Sequence, residues 1–103
     1  MIVVKNVFRL KYGQARPALA AFKEGRALMQ KHSVAKDTRV MTDLVGPAYT
    51  MVMEQTYASL AESEAEGAKI MGGPLSDEFR AWYQKFTPLV ESGSREIFTV
   101  QEF

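Results

Sequence analysis

Cysteine is absent from the 103 residues, and histidine occurs once. Without cysteine there is no disulfide, no zinc finger, no thiol nucleophile and no Cys-ligated iron–sulfur cluster. One histidine leaves no His-rich metal site and at most one imidazole base, so no metal and no cofactor are expected. Net charge is nearly absent too: 13 Lys+Arg against 12 Asp+Glu leave +1, no global footprint for nucleic acid or an acidic membrane. No apolar run approaches the ~18 residues that mark a membrane-spanning helix. Lys5 and Asn6 interrupt the start before the apolar region of a secretory leader can form. The expectation is one cytoplasmic globular domain over residues 1–103, with no nucleic-acid partner and no membrane span.

What is present is a chain that is 47% hydrophobic and 11% aromatic, enough for one core. Its neutrality hides an asymmetry. Residues 1–39 carry nine basic and two acidic side chains, a net +7, and residues 40–103 carry four basic and ten acidic, a net −6. None of the basic residues forms a dense run, so the plain reading is two halves that interleave and pair their charges.

Residues 2–12 alternate, with Ile2, Val4, Asn6, Phe8, Leu10 and Tyr12 on one side and Val3, Lys5, Val7, Arg9 and Lys11 on the other. Period two predicts a half-buried strand, ended by Gly13. Over 15–32 the spacing of Ala18, Ala21, Phe22, Gly25, Leu28 and Met29 predicts a helix with Pro17 tolerated in its first turn. Residues 38–45 and 48–57 read as strands joined by a tight turn at Gly46-Pro47. Ser59-Leu60-Ala61-Glu62 matches a capping box, so a helix starts at Ser59 and runs to about Met71, where Gly72-Gly73-Pro74 breaks it. Ser76 is the expected N-cap of a further helix carrying Phe79, Trp82, Tyr83 and Phe86 at i, i+3, i+4 and i+7, ended by Pro88. Residues 95–102 alternate as a last strand.

The order β-α-β-β-α(α)-β is the split βαβ pattern of a ferredoxin-like α+β sandwich with an antiparallel sheet. Helices cover one face of such a sheet and leave the other bare. Val3 and Val7 fall on the bare face, together with one face of strand 48–57 that the pattern does not choose. A patch of this kind calls for a partner, and a homodimer through the sheet faces is expected.

Several of these segments resemble the NIPSNAP family. They are Gly46-Pro47 before a strand, Tyr57-Ala58-Ser59-Leu60-Ala61-Glu62 at a helix entry, Glu78-Phe79-Arg80-Ala81-Trp82-Tyr83 with Pro88-Leu89-Val90, and Arg9-Leu10-Lys11-Tyr12-Gly13. The resemblance spans nearly the whole chain, and its motifs are turns, caps and core aromatics. It implies a dimeric α/β barrel, in which two ferredoxin-like sheets close face to face, and it brings no catalytic residue. The chain departs from the family at Asn6, where arginine is common, and at Tyr12, where proline is. The same superfamily holds cofactor-independent monooxygenases and haem-degrading monooxygenases. Asn6 matches the first-strand asparagine of the haem-degrading enzymes, but Trp82 stands where their histidine would be and their tryptophan falls near Gly72. His32 lies on the wrong element, so haem is not expected.

Asn6 is the most informative polar residue, because an amide on an apolar strand face must find a partner or lose about 1–3 kcal/mol. It can orient a ligand carbonyl, or simply bond to Arg, Glu or backbone inside the sandwich. His32, at the end of the first helix, is a weak candidate base that the helix dipole also explains. Tyr83 is a third weak catalytic candidate. Phe8, Phe22, Phe79, Trp82, Tyr83 and Phe86, with Tyr49, Met51, Met53 and Tyr57 of strand 48–57, can wall a pocket for an apolar or aromatic ligand, or form plain core. Arg9, Arg26 and Arg80 can hold an anionic substituent. Glu62 and Glu66, four residues apart, share a helix face that reads as solvated rather than cation-binding. The expected function is a homodimeric barrel binding a small apolar or aromatic molecule, the alternative a cofactor-independent monooxygenase acting on an aromatic or polycyclic substrate.

Overall fold

The computed structural model describes residues 1–103. Its elements are β1 (Ile2–Leu10), α1 (Ala15–Gln30), β2 (Asp37–Thr42), β3 (Thr50–Tyr57), α2 (Leu60–Gly72), α3 (Ser76–Phe86) and β4 (Val90–Thr99), with a 3₁₀ turn at Thr87–Leu89 before the last strand. The four strands make one antiparallel sheet in the order β2-β3-β1-β4. This is the ferredoxin-like α+β fold, with three helices on one side.

Alternation decides which side chains meet the helices. On β1, Val4, Asn6, Phe8 and Leu10 point that way, and antiparallel register places Met53 opposite Asn6 and Met51 opposite Phe8. Met51, Met53 and Tyr57 are buried, so strand β3 turns its Met-Tyr side inward and leaves Thr50, Val52, Glu54 and Thr56 on the open face. Leu10, Ala18, Phe22, Met51, Met53, Trp82 and Phe86 form the core. Trp82 and Phe86 stack at 5.3 Å, and Phe86 meets Phe8 edge-on at 5.3 Å. Gly25 lets α3 approach α1: a Cβ there would lie 2.1 Å from the Trp82 indole. The same indole donates its Nε1–H to the Ala21 carbonyl at 2.6 Å, so ring and helix are locked together.

Several element ends differ from the sequence reading, and α1 stops at Gln30 rather than 32. Strand β1 stops at Leu10, where its pairing with β4 shifts register. The β2–β3 connection is not a tight turn but a loop over residues 43–49, closed by the Asp43 carboxylate accepting from the Thr50 N–H at 2.9 Å. Gly46 there has φ 135°, a conformation that side chains disfavour. Ser76 is the first helical residue rather than the cap, because the Phe79 N–H already reaches the Leu75 carbonyl at 2.8 Å. Strand β4 begins at Val90 instead of 95: Glu91-Ser92-Gly93-Ser94 has poor strand propensity, but β1 supplies a pairing edge for each of these residues except Glu91. At Ser59 the cap forms as expected, its Oγ accepting from the Glu62 N–H at 3.2 Å.

The body is flat, 39 × 37 × 18 Å, with only 13 residues buried. Strand β4 is exposed on both sides: Ile97 is 47% and Phe98 50% accessible. No helix is long and apolar enough to cross a membrane.

Candidate functional site

Between the sheet and helices α2 and α3 lies a cavity of about 350 Å³. Its walls are mostly apolar and include Phe8, Phe22, Phe79, Trp82, Tyr83 and Phe86. The period of α3 explains the last four: positions 79, 82, 83 and 86 occupy one helical face over the sheet. Tyr83, half exposed, stands at the edge of the wall. Met53 joins from β3 and Met29 from α1.

Polar groups converge in this apolar space. Asn6, 8% accessible, accepts at Oδ1 from the Arg95 Nε–H at 2.9 Å. The two face each other because β1 and β4 pair Asn6 with Arg95 directly. Glu66, 7% accessible, enters from α2 with Ser63, Gly67 and Ile70 on the same helical face. Its Oε1 accepts from the Val34 N–H at 2.6 Å, and its Oε2 from the Tyr57 hydroxyl. A buried carboxylate without a cation is costly unless its oxygens are bonded, and both are. Burial pushes the Tyr57 phenol above the ordinary tyrosine range; the hydrogen bond to Glu66 and that carboxylate's charge add to the rise, and Arg95 opposes it. Phenol and guanidinium therefore feel one another across the same pocket.

Of the residues that the sequence singled out, the cavity gathers Asn6, Phe8, Phe22, Met53, Tyr57, Phe79, Trp82, Tyr83 and Phe86. Three do not join them. Met51 is wholly buried in the core, and Tyr49 lines a separate depression beside Tyr12, held with φ 61°. His32 is exposed beyond the end of α1 and lines none of these spaces. The proposed arginines also lie elsewhere: Arg9 bonds Thr50 on the open face, Arg26 bonds the Thr38 carbonyl beside another depression, and Arg80 is exposed on α3. Glu62 is exposed where Glu66 is buried, and no group of three metal-ligating side chains forms.

Sequence reasoning passed over Arg95 and misjudged Glu66. Arg95 meets Asn6 across 89 positions of chain, beyond any local pattern. Glu66 had one legible signal. Ser63, Glu66, Gly67 and Ile70 run at i, i+3, i+4 and i+7, a cavity-facing stripe disguised by small and acidic residues.

No family model matches the chain, and no curated protein matches it either. Solved structures do. An uncharacterized NIPSNAP domain protein from Burkholderia xenovorans superposes with TM-score 0.85 at 15% identity, covering 100% of this chain and 97% of that one. A NIPSNAP family protein from Agrobacterium tumefaciens gives 0.85 at 20% identity, over 99% of this chain and 87% of its own. SnoaB, a cofactor-independent oxygenase from Streptomyces nogalater, gives 0.73 at 11% identity, over 99% and 94%. The fold is thus that of the NIPSNAP domain proteins, shared more distantly with an oxygenase.

Proposed function

We propose that the chain is a homodimeric α/β-barrel protein that binds a small apolar or aromatic molecule in the cavity between sheet and helices. One observation carries the ligand half of this reading: an aromatic-walled space of about 350 Å³ with a few convergent polar groups at Asn6, Tyr57, Glu66 and Arg95. Small-molecule sites have this composition and start near this size.

The dimer half rests on the open face of the sheet. Register aligns Arg39, Glu54, Lys5 and Glu96 in one row across the four strands, alternating in sign. Within the row, Arg39 and Glu54 already pair at 2.8 Å. A two-fold axis parallel to the strands reverses strand order, laying Arg39 over Glu96 of the partner subunit and Glu54 over Lys5 of the partner subunit. Each facing pair is then of opposite sign, a self-complementary arrangement of the kind a two-fold interface requires. In the adjacent row Val7 and Val52 face each other in the same way and supply apolar contact.

A second reading, a cofactor-independent monooxygenase for an aromatic or polycyclic substrate, is favoured by the fold shared with SnoaB. In it Asn6 and Arg95 hold the substrate's enolate oxygen, and the Glu66–Tyr57 pair handles its proton.

Two titrations separate the readings. Trp82, the one tryptophan, lines the cavity, so its emission reports occupancy. Saturable change in that emission with biphenyl, together with no oxygen uptake when anthrone is added, supports binding. Uptake of one dioxygen per anthrone, with anthraquinone and water as products, favours the oxygenase. No change in emission at any biphenyl concentration contradicts the cavity reading.

A further inference from the structure

The polar groups of the cavity differ in what they have left to offer. Glu66 has both oxygens engaged, one by the Val34 N–H and the other by the Tyr57 hydroxyl. Trp82 spends its N–H on the Ala21 carbonyl. Asn6 uses Oδ1 to accept from Arg95, and its Nδ2 group makes no hydrogen bond within the chain. Arg95 spends Nε on that bond, and its two terminal nitrogens donate to nothing in the chain. The protein's ion pairs are Arg39–Glu54 and Lys85–Glu24, so Arg95 has no carboxylate partner. Gln55 and Ser63 can either donate or accept and fit any polar group. Apart from these two, Asn6 and Arg95 offer donors only, and the Arg95 guanidinium carries a positive charge that no carboxylate contacts.

Resting on the reading of this cavity as a ligand site, we infer that its ligand is an aromatic carboxylate. Its ring system lies among Phe8, Trp82 and Phe86, and its carboxylate lies on the Arg95 fork and the Asn6 amide. The planar guanidinium matches a carboxylate through two parallel N–H···O bonds, and with Nε tied to Asn6 the fork is held in place before the ligand arrives. Arg95 stands at the exposed rim and Asn6 at the buried floor, so the anion enters last and remains near water. Glu66 disfavours a free carboxylate deeper in the space, which fixes the ligand's direction.

Biphenyl-4-carboxylate and biphenyl-4-carboxamide, equal in shape and different in charge, test this by calorimetry and by Trp82 emission on the full-length protein. The carboxylate is expected to bind at least tenfold more tightly. Arg95→Met should bring the two affinities together by weakening the carboxylate alone, and Arg95→Lys, which keeps the charge but loses the fork, should restore only part of the gap. Equal affinities in the unmodified protein, or a preference that survives Arg95→Met, overturn the carboxylate assignment and leave the cavity reading standing. If neither compound gives heat or changes the emission, the cavity reading falls and this inference falls with it.

Discussion

The two faces of the sheet are built from the same strands with opposite logic. Toward the helices, β1 and β3 present Val4, Phe8, Leu10, Met51 and Met53; of the polar exceptions, Asn6 and Tyr57 are each bonded to a specific distant side chain, and Gln55 lines the cavity. Toward the open side the strands present a row of alternating charge between rows holding Val3, Val7, Val52 and Phe98. Polar groups on the first face are few, buried and directional, which suits recognition of one small molecule. Those on the second are exposed and periodic, which suits a large flat partner of matching period. Burial turns a polar side chain into a specific demand, and exposure leaves it available for steering and register.

Substitutions should separate the faces. The largest effect is expected at Phe22, 3% accessible and in contact with Phe8, Trp82 and Phe86. Phe22→Ala should cost about 3–5 kcal/mol in urea unfolding, and loss of Trp82 packing should red-shift the emission. Exchange of the charges in one ion pair on the other face, Arg39→Glu with Glu54→Arg, keeps that pair within the chain but sets like charges opposite Glu96 and Lys5 across the proposed two-fold. Sedimentation velocity should show a dimer weakened ~100-fold, about 2.7 kcal/mol, with far-UV circular dichroism unchanged. A dimer of undiminished strength would mean that the charge row does not set the register.

Tyr57→Phe should cost less, about 1–3 kcal/mol, by leaving Glu66 Oε2 without its donor. Its pH dependence follows from the raised phenol. The native protein holds that proton more tightly than the unfolded chain, whose tyrosines ionise near pH ~10. The contribution is thus complete below about pH 10 and is lost as pH climbs toward the native value. Urea midpoints measured from pH 8 to 11.5 should decline more steeply above 10 in the unmodified protein than in Tyr57→Phe. Parallel declines would remove Tyr57 from the account.

Much of the fold is legible in local pattern. The period of α3 and the Ser59 cap are properties of a few neighbouring residues, and β1 alternates throughout, so each forms in the expected segment, with β1 two residues shorter than its pattern. Strand β4 is different, because Ser92, Gly93 and Ser94 become strand through pairing with β1 rather than through their own preferences. The site divides in the same way. Its apolar wall is a helix stripe and could be read. Its polar half joins Asn6 to Arg95 and Tyr57 to Glu66, contacts made by register and by the angle at which α2 meets the sheet. Neither contact leaves a periodic trace. The choice between the two sides of β3 likewise waited on which side the helices cover, since both sides carry apolar residues.

The difference between the faces is tested most directly by one methyl spectrum. Met29, Met53 and Met71 line the cavity, and Met41 lies on the open face in the row of Val52 and Val7. With the methionine methyls carbon-13 labelled, biphenyl-4-carboxylate is added at constant protein concentration, and the protein is then diluted through its dissociation range without ligand. The account predicts that ligand shifts the Met53 and Met71 resonances and leaves Met41 in place, and that dilution shifts Met41 and leaves Met53. Ligand-induced shifts at Met41 with Met53 unmoved would contradict it.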